Sequence, residues 1–176
     1  MEDDFAWLKD LIRDVPDFPS PGVTFKDITP LLADRRGLWG TIEALAEAFE
    51  DRGIDKVIGV EARGFIIAAP VALRLGAGFV PVRKVGKLPG QAHSETYDLE
   101  YGTDTLEMHV DALEAADTVL IVDDVLATGG TAAATRRLAD RCGAQVAGFG
   151  FVVELAFLSG RAKLTDIDTV SLITYD

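Results

Sequence analysis

One short segment constrains the fold of this chain more than any other. Residues 119–131 read V-L-I-V-D-D-V-L-A-T-G-G-T. The first four are apolar and three of them are β-branched, which is typical of a buried strand. Two carboxylates, Asp123 and Asp124, come directly after them. Residues 132–139 then favour a helix that Gly143 should end. The segment therefore predicts a strand, a polar turn and a helix, the unit from which α/β folds are built.

The turn in this segment has the composition of a site for a phosphorylated sugar. Its glycines let backbone N–H groups point inward, and the helix N-terminus adds roughly half a positive charge. Its threonines offer hydroxyl donors, and the acidic pair can accept hydrogen bonds from vicinal sugar hydroxyls. The residues expected to hold this ligand are Asp123, Asp124, Ala127, Thr128, Gly129, Gly130 and Thr131. A Walker loop requires a Lys after the second glycine, and this segment has none, so it is not a Walker loop. The motif GxGxxG is also absent, so a dinucleotide site has no support.

Strand and helix signals alternate along the rest of the chain. Its 176 residues are 48% hydrophobic, enough to bury the core of one domain spanning 1–176. The alternation predicts a mostly parallel sheet with helices on both faces. Helices are expected at 3–13, 38–51 and 65–74, and further strands at 56–60, 78–82, 105–110, 147–153 and 170–174. On the strand at 105–110, Leu106, Met108 and Val110 should share one face. The polar stretch 86–104 is predicted to be a functional or mobile loop.

Charge and cysteine content indicate the partners and compartment to expect. A net charge of −12 disfavours binding to nucleic acid or to anionic membranes. No run of 18 apolar residues occurs, and the acidic N-terminus lacks the pattern of a signal peptide. The single cysteine, Cys142, suits a reducing compartment. We therefore expect a cytoplasmic protein without nucleic-acid or membrane partners. Whether the acidity is a salt adaptation stays open.

Residues 119–131 resemble the phosphoribosyl-diphosphate (PRPP) signature of the type I phosphoribosyltransferases. Other segments narrow the resemblance to the adenine phosphoribosyltransferase family, and the similarity as a whole extends over about residues 8–175. These segments are 18–32, 61–65, 83–90, 97–102 and 153–155. The resemblance implies the type I phosphoribosyltransferase fold, with an N-terminal hood at about 1–35 and a flexible catalytic loop at about 84–104.

The activity implied by this resemblance is purine salvage. Adenine and PRPP would give AMP and pyrophosphate, with positive charge building on the sugar and negative charge on the leaving group. Catalysis would then be mostly alignment and electrostatic stabilisation. Glu61, Ala62 and Arg83 would join the acidic pair and the turn in binding PRPP. The catalytic residues would be Arg63, Lys84, Lys87 and Glu100, the last moving a proton at N7 or N9 of the base.

The resemblance also places the base and the partners. Phe25 would stack on adenine, Leu155 would close the opposite face, and backbone groups around Thr24 and Lys26 would contact the 6-amino edge. The family more often has arginine at the position of Lys26. Lysine lacks the planar guanidinium group that makes bidentate hydrogen bonds, so such a contact is not expected here. Mg²⁺ would enter with PRPP near Asp123 and Asp124, with no dedicated protein site.

The resemblance further implies a homodimer in which some basic residues reach the neighbouring site. His93 and His109 lack partners at metal-ligand spacing. Two alternatives stay open: a PRPP-dependent transferase for another purine base, and a PRPP-binding regulator without catalysis.

Overall fold

The computed structural model describes residues 5–98 and 102–176. Its strands are β1 (Arg13–Pro16), β2 (Thr24–Asp27), β3 (Lys56–Val60), β4 (Gly78–Lys84), β5 (Ala92–Asp98), β6 (Thr103–His109), β7 (Thr118–Leu126), β8 (Gln145–Leu155) and β9 (Thr169–Tyr175). The α-helices are α1 (Thr29–Ala33), α2 (Arg35–Glu47), α3 (Arg63–Leu75) and α4 (Gly130–Arg141). Short 3-10 helices occupy Ala6–Leu11, Glu50–Arg52, Ala156–Leu158 and Gly160–Lys163.

Seven strands form one mostly parallel sheet in the order β5-β6-β4-β3-β7-β8-β9. The five strands from β4 to β9 in that order run parallel. The β5–β6 hairpin joins the edge of the sheet antiparallel to β4. This confirms the predicted α/β architecture. Because β4, β3 and β7 are consecutive neighbours, their carboxyl ends meet at one edge, where ligands of α/β folds bind.

The sheet is buried on both faces. Ile121 and Phe149 pack with Leu138 of α4 on one side, while Leu120 packs with Leu45 of α2 on the other. Adjacent strand residues point to opposite faces, so consecutive apolar residues of β7 serve both cores. Each such side chain contributes roughly 1.5–3 kcal/mol when fully buried. Within the described residues, no helix is both long and apolar enough to cross a bilayer.

The N-terminal region is a two-stranded hood instead of a long helix. The helix expected at 3–13 is wrong: Ala6–Leu11 form a 3-10 helix, and β1 then pairs antiparallel with β2. Arg13 on β1 binds the carboxylate of Asp27 at 2.6 Å. Hydrogen bonds from Thr29 and from Arg13 lower the pKa of Asp27 to about 2. Pairing with a distant strand thus outweighs the helical pattern of the local sequence.

The stretch 86–104 also differs from expectation. It contains β5 and the start of β6, where we expected a loop without regular structure. One face of β5 is polar and exposed, which explains the weak strand signal. Leu106 and Met108 of β6 are buried as predicted, but Val110 is 39% exposed because the strand ends one residue before it.

The remaining elements confirm the predicted order with shifted bounds. The prediction for β3 matches its observed bounds. The helix α2 begins earlier than predicted because the Asp34 carboxylate accepts a hydrogen bond of 2.7 Å from Gly37 N. It also ends earlier, at Glu47, before the chain enters a 3-10 turn. These shifts leave the edge of the sheet that carries the site unchanged.

Candidate functional site

The acidic pair lies within β7, because the strand continues beyond residue 122, where we expected it to end. Asp124 is 7% exposed, and its carboxylate accepts a hydrogen bond from Arg63 Nε. Its backbone N–H donates to Asp123 Oδ1 at 2.9 Å. Burial and the neighbouring Asp124 carboxylate raise the pKa of Asp123 well above its usual value. The two aspartates are therefore unequal: Asp124 is ion-paired with Arg63, whereas the pKa of Asp123 is raised.

The predicted glycine turn wraps around a small cavity. The cavity measures about 60 Å³ and is lined by Asp123 and by all five turn residues, Ala127, Thr128, Gly129, Gly130 and Thr131. The helix α4 begins at the second glycine, so its N-terminus faces this space. A cavity of this kind suits a small anion, because unpaired backbone N–H groups and the helix dipole favour negative charge.

The turn requires glycine for two separate reasons. Gly129 has a φ of +75°, which side chains with a Cβ adopt at a cost. A Cβ there would also overlap the carbonyl oxygen of Gly160, which lies against the turn. On the other side of the acidic pair, a Cβ on Gly64 would lie 2.6 Å from Asp123 Oδ1. Glycines thus let two neighbouring segments approach the acidic pair and its turn.

The segment after β3 supplies the charged groups beside the acidic pair. The peptide bond between Glu61 and Ala62 is cis, and Arg63 begins α3 directly after it. Glu61 Oε2 accepts hydrogen bonds from Arg83 Nε and from Lys84 N, both at 3.1 Å. One carboxylate therefore holds the end of β4 against the end of β3. These contacts bring together Glu61 and Arg83, which were predicted to bind PRPP, and Lys84, which was predicted to be catalytic.

The basic residues at the end of β4 are held in different ways. Lys84 Nζ lies 2.9 Å from Asp104 Oδ2 of β6, and this hydrogen bond raises the pKa of Lys84 and lowers the pKa of Asp104. The side chain of Lys87 is exposed, while its carbonyl accepts a hydrogen bond of 3.1 Å from Arg83 Nη1. Two of these basic residues are thus paired with carboxylates at the same edge, Arg83 with Glu61 and Lys84 with Asp104.

The hood brings an aromatic ring to the same place. The Phe25 ring centroid lies 5.3 Å from the guanidinium carbon of Arg63. Lys26, the next residue on β2, points the other way: its Nζ is 2.7 Å from Asp14 and 4.0 Å from the Tyr175 ring centroid. Of the residues predicted to bind adenine, the structure therefore places Phe25 beside the charged groups and turns the Lys26 side chain elsewhere.

The other two predicted base contacts occupy strand ends. Thr24 begins β2 and is exposed. Leu155 ends β8, half-buried, and pairs in register with Tyr175 of β9. Next to it, Glu154 is buried and ion-paired with Arg161, which lowers the pKa of Glu154. This pair fixes the end of β8. Glu100, the predicted proton-transfer residue, lies outside the described residues.

Sequence reasoning missed three residues at this edge. Tyr97 accepts a hydrogen bond of 3.2 Å from Thr131, Asp104 binds Lys84, and Gly160 packs against the turn. Only Tyr97 lies in a segment that carried the resemblance. Asp104 and Gly160 contact residues that are distant in the sequence, and no local sequence pattern indicates these contacts.

The chemistry of the acidic pair is compatible with magnesium. Mg²⁺ prefers carboxylate and phosphate oxygens and keeps several waters. Asp123 and Asp124 are two such ligands, although Arg63 already engages Asp124. In residues 5–98 and 102–176, no three acidic, histidine or cysteine side chains converge as a metal site. The donor set therefore fits a metal that substrate oxygens hold for the most part.

Comparisons with known proteins identify the family to which this chain is similar. The family model of the phosphoribosyl transferase domain matches residues 28–172. The adenine phosphoribosyltransferase of Trichormus variabilis is 58% identical, covering 96% of this chain and 99% of the relative. That of Thermobifida fusca is 57% identical, covering 99% of both.

Solved structures show the same similarity in three dimensions. Adenine phosphoribosyltransferase from Thermoanaerobacter pseudethanolicus superimposes with a TM-score of 0.94 at 51% identity, covering 97% of this chain and 99% of that one. The Saccharomyces cerevisiae structure, complexed with adenine and an imino-altritol bisphosphate, has a TM-score of 0.91 at 41% identity, covering 98% and 99%. They confirm the predicted type I phosphoribosyltransferase fold. This chain belongs to the adenine phosphoribosyltransferase family.

Proposed function

We propose that this chain transfers the 5-phosphoribosyl group from PRPP to adenine, giving AMP and pyrophosphate in purine salvage. The observation that carries the proposal is the convergence of the acidic pair, the glycine turn and Arg63 at one edge of the sheet. Each of these groups suits a different part of PRPP. Identity of 58% to an adenine phosphoribosyltransferase supports adenine as the acceptor.

The sugar and its 5-phosphate occupy the end of β7. The phosphate lies in the cavity of the turn, where Thr128, Gly129, Gly130 and Thr131 supply backbone and hydroxyl donors. Ala127 lines the same cavity. Asp123 and Asp124 accept hydrogen bonds from the two ribose hydroxyls. The sugar is thereby held at two points before the reaction begins.

Pyrophosphate lies between the ends of β3 and β4. Arg63 donates to it from the start of α3, and Arg83 and Lys84 approach from β4, beside Glu61 and Ala62. Lys87 adds charge from the turn after β4. These cations stabilise the negative charge that develops as pyrophosphate leaves, which is where preorganised charges lower a barrier most.

The base lies under the hood. Phe25 stacks on adenine, Leu155 closes the opposite face, and backbone groups near Thr24 and Lys26 contact the 6-amino edge. In the reaction, N9 of adenine bonds to the anomeric carbon as the bond to pyrophosphate breaks. Glu100 accepts or relays the proton that adenine releases, which requires a carboxyl with a raised pKa.

We propose that Mg²⁺ binds together with PRPP beside Asp123 and Asp124. When bound, such an ion neutralises diphosphate charge and helps the leaving group depart. The chain's own contribution is to orient the sugar through the acidic pair. Pyrophosphate release that persists undiminished in excess chelator would contradict this.

We also propose that the chain is a homodimer. Large apolar side chains are exposed on α2 and α3: Trp39 is 69% exposed, Ile66 48% and Leu73 82%. A groove of about 1080 Å³ runs between these helices and contains Trp39 and Leu73. Contiguous exposed apolar surface is typical of protein interfaces, and α3 begins at Arg63 of the site.

Sedimentation tests the dimer. Leu73→Asp should shift the protein from dimer to monomer and lower its activity, whereas Val110→Asp, at an exposed apolar residue after β6 that does not line this groove, should change neither. A fully active monomer contradicts the idea that assembly contributes to catalysis.

We place the protein in the cytoplasm, without nucleic-acid or membrane partners; its single cysteine and net charge of −12 support this.

Two assays test the proposed reaction. Mixing adenine, PRPP and Mg²⁺ should release pyrophosphate, and failure to do so would favour a binding protein without catalysis. Competition among bases should then show adenine preferred over hypoxanthine, guanine and xanthine. Preference for an oxo-purine would instead assign the chain to another branch of salvage. The structure favours catalysis over regulation because Arg63, Arg83 and Lys84 all lie at the edge that carries the acidic pair.

A further inference from the structure

The β5–β6 hairpin is docked on α4, the helix whose N-terminus carries the glycine turn. Glu95 of β5 binds two arginines of that helix, Arg137 at 2.5 Å and Arg141 at 2.8 Å. Arg141 Nη1 also donates to the carbonyl of Ser94 at 2.7 Å. The side chain of Glu95 is only 12% exposed, while Arg137 and Arg141 are 46% and 49% exposed. These contacts hold one end of the hairpin against α4.

Tyr97 joins the other end of β5 to the turn itself. Its side chain is 9% exposed and packs on Gly130, where an added Cβ would lie 3.0 Å from the tyrosine ring. The hydroxyl of Thr131 donates to Tyr97 Oη at 3.2 Å. Both contacted residues line the cavity of the turn. Tyr97 is thus a direct connection between the hairpin and the cavity.

The hydrogen bond between these hydroxyls depends on what the cavity holds. Thr131 has one hydrogen to donate, and in this structure it is directed at Tyr97. A phosphate oxygen in the cavity competes for that hydrogen. Once the phosphate takes it, the Thr131 oxygen can only accept, and the Tyr97 hydroxyl can donate to it instead. The hydrogen bond between the two hydroxyls then remains, with Tyr97 as the donor and Thr131 as the acceptor. Hydrogen bonds then connect the phosphate, through Thr131 and Tyr97, to the hairpin.

We propose that Tyr97 is a positioning residue that couples occupancy of the phosphate cavity to the placement of the β5–β6 hairpin. The hairpin in turn carries Asp104, which holds Lys84 at the pyrophosphate side of the site. Phosphate bound at one end thereby steadies a cation at the other. Coupling of this kind is reciprocal: whatever the ligand does to the hairpin, the hairpin does to ligand affinity. The inference rests on the proposed function only in taking the turn as a phosphate site.

Hydrogen exchange tests the coupling with ribose 5-phosphate, a probe that carries the phosphate without the diphosphate. Backbone exchange in 92–98 and 103–109 should slow when the probe binds to the natural protein. Tyr97→Phe keeps the ring on Gly130 but removes the hydroxyl. In this variant the slowing should be lost, and the Kd for the probe should rise about 3- to 10-fold, the range expected for one hydrogen bond.

Thr96→Val is the matched control. Thr96 precedes Tyr97 on the same strand, and its hydroxyl forms a hydrogen bond within the hairpin, to Thr105 Oγ1 at 2.9 Å. This variant also loses one hydroxyl, so it reports any general loosening of the hairpin. It should respond to the probe as the natural protein does. Both variants should fold, because the Glu95 contacts to α4 remain.

Kinetics separate positioning from a merely structural effect. Tyr97→Phe should raise the KM for PRPP and lower kcat, leaving the KM for adenine within about twofold. Equal slowing of hairpin exchange in Tyr97→Phe and in the natural protein would overturn the coupling while leaving the proposed function intact. Failure of the natural protein to bind ribose 5-phosphate at all would overturn the phosphate site and the coupling together.

Discussion

Arg63 Nε donates a hydrogen bond to Asp124 Oδ2, and this contact joins the first turn of α3 to the strand β7. The same guanidinium lies beside the Phe25 ring of the hood. Arg63 therefore contacts both an aspartate that we propose binds the sugar and the ring that we propose stacks on the base. Its side chain is 45% exposed, so the guanidinium is accessible to a ligand.

Replacing Arg63 with alanine should raise the KM for PRPP and lower kcat, each by about tenfold, because a charge-assisted hydrogen bond contributes roughly 1.5–3 kcal/mol. Steady-state kinetics with varied PRPP measure this. The control is Arg52→Ala, which removes an arginine paired with Asp168 at 2.5 Å before β9, at the opposite edge of the sheet. Unchanged kinetics in the Arg63 variant would remove this residue from the site.

Asp123→Asn should stabilise the protein at neutral pH while impairing catalysis. Burial and the Asp124 carboxylate raise the pKa of Asp123 well above 3.8 in the folded protein. A group with a raised folded pKa stabilises the fold below its unfolded pKa, and that contribution is lost as pH rises toward the folded value. The variant lacks this loss, so its advantage in unfolding free energy should grow as the pH rises from about 4 toward neutrality.

Urea unfolding at several pH values measures this difference. Asn can still accept the hydrogen bond from Asp124 N through its side-chain oxygen. Asp124→Asn should instead lower the unfolding free energy, since it leaves Arg63 without its anionic partner. An advantage of Asp123→Asn that is constant over this pH range would show that titration of Asp123 is not its cause.

Gly129→Ala should destabilise the protein and abolish phosphate binding. The residue must adopt a φ of +75°, and its Cβ would overlap the Gly160 carbonyl. Gly53→Ala is the matched control, with a φ of +61° and open space around its Cβ. The control should lose about 1–2 kcal/mol from the left-handed conformation alone. Thermal unfolding should show a clearly larger loss at Gly129; equal losses would mean that the overlap is relieved at no cost.

Lys26→Met should leave the KM for adenine within about twofold, because its Nζ is directed to Asp14 and the Tyr175 ring. Any loss of stability from breaking the ion pair should be small, because its partner Asp14 is 58% exposed and solvent screens the interaction. Phe25→Leu, one residue earlier, should raise that KM about tenfold by removing a stacking surface. A large rise for Lys26→Met would mean that its side chain takes part in base recognition.

Glu100→Gln should lower kcat by about 10²-fold if this carboxyl moves the proton at N7 or N9. The amide has the same shape but cannot transfer a proton. Glu114→Gln, at an exposed position before β7, serves as the control. The pH dependence of kcat should lose one limb in the Glu100 variant. A loss of activity below threefold would restrict Glu100 to positioning the base.

The sequence predicted those parts of the fold whose structure is determined by neighbouring residues in the chain. The buried run at 119–122, the strand at 56–60 and the turn before α4 all follow from apolar runs and glycines. Long-range pairing decided the rest. β1 depends on β2, and the hairpin depends on contacts such as Glu95 with Arg137, which are 42 positions apart.

In the site, too, local sequence patterns were predictable and long-range contacts were not. Asp123 and Asp124 are adjacent, so the sequence alone indicates that they act together. The pairing of Asp124 with Arg63 spans 61 positions and follows only once β3 and β7 are known to be neighbours. Tyr97 and Asp104 escaped notice because their contacts are made through a hairpin that was not predicted.

The two strands of the hood form a sheet of their own, separate from the seven-stranded sheet that carries the acidic pair. Phe25, which we propose stacks on the purine, therefore lies on a unit whose backbone hydrogen bonds are independent of the central sheet. Insertions or exchanges in the hood can alter which nucleobase is accepted without disturbing the register of the central strands. Such an architecture allows acceptor specificity to diversify during evolution while recognition of the shared sugar donor is retained.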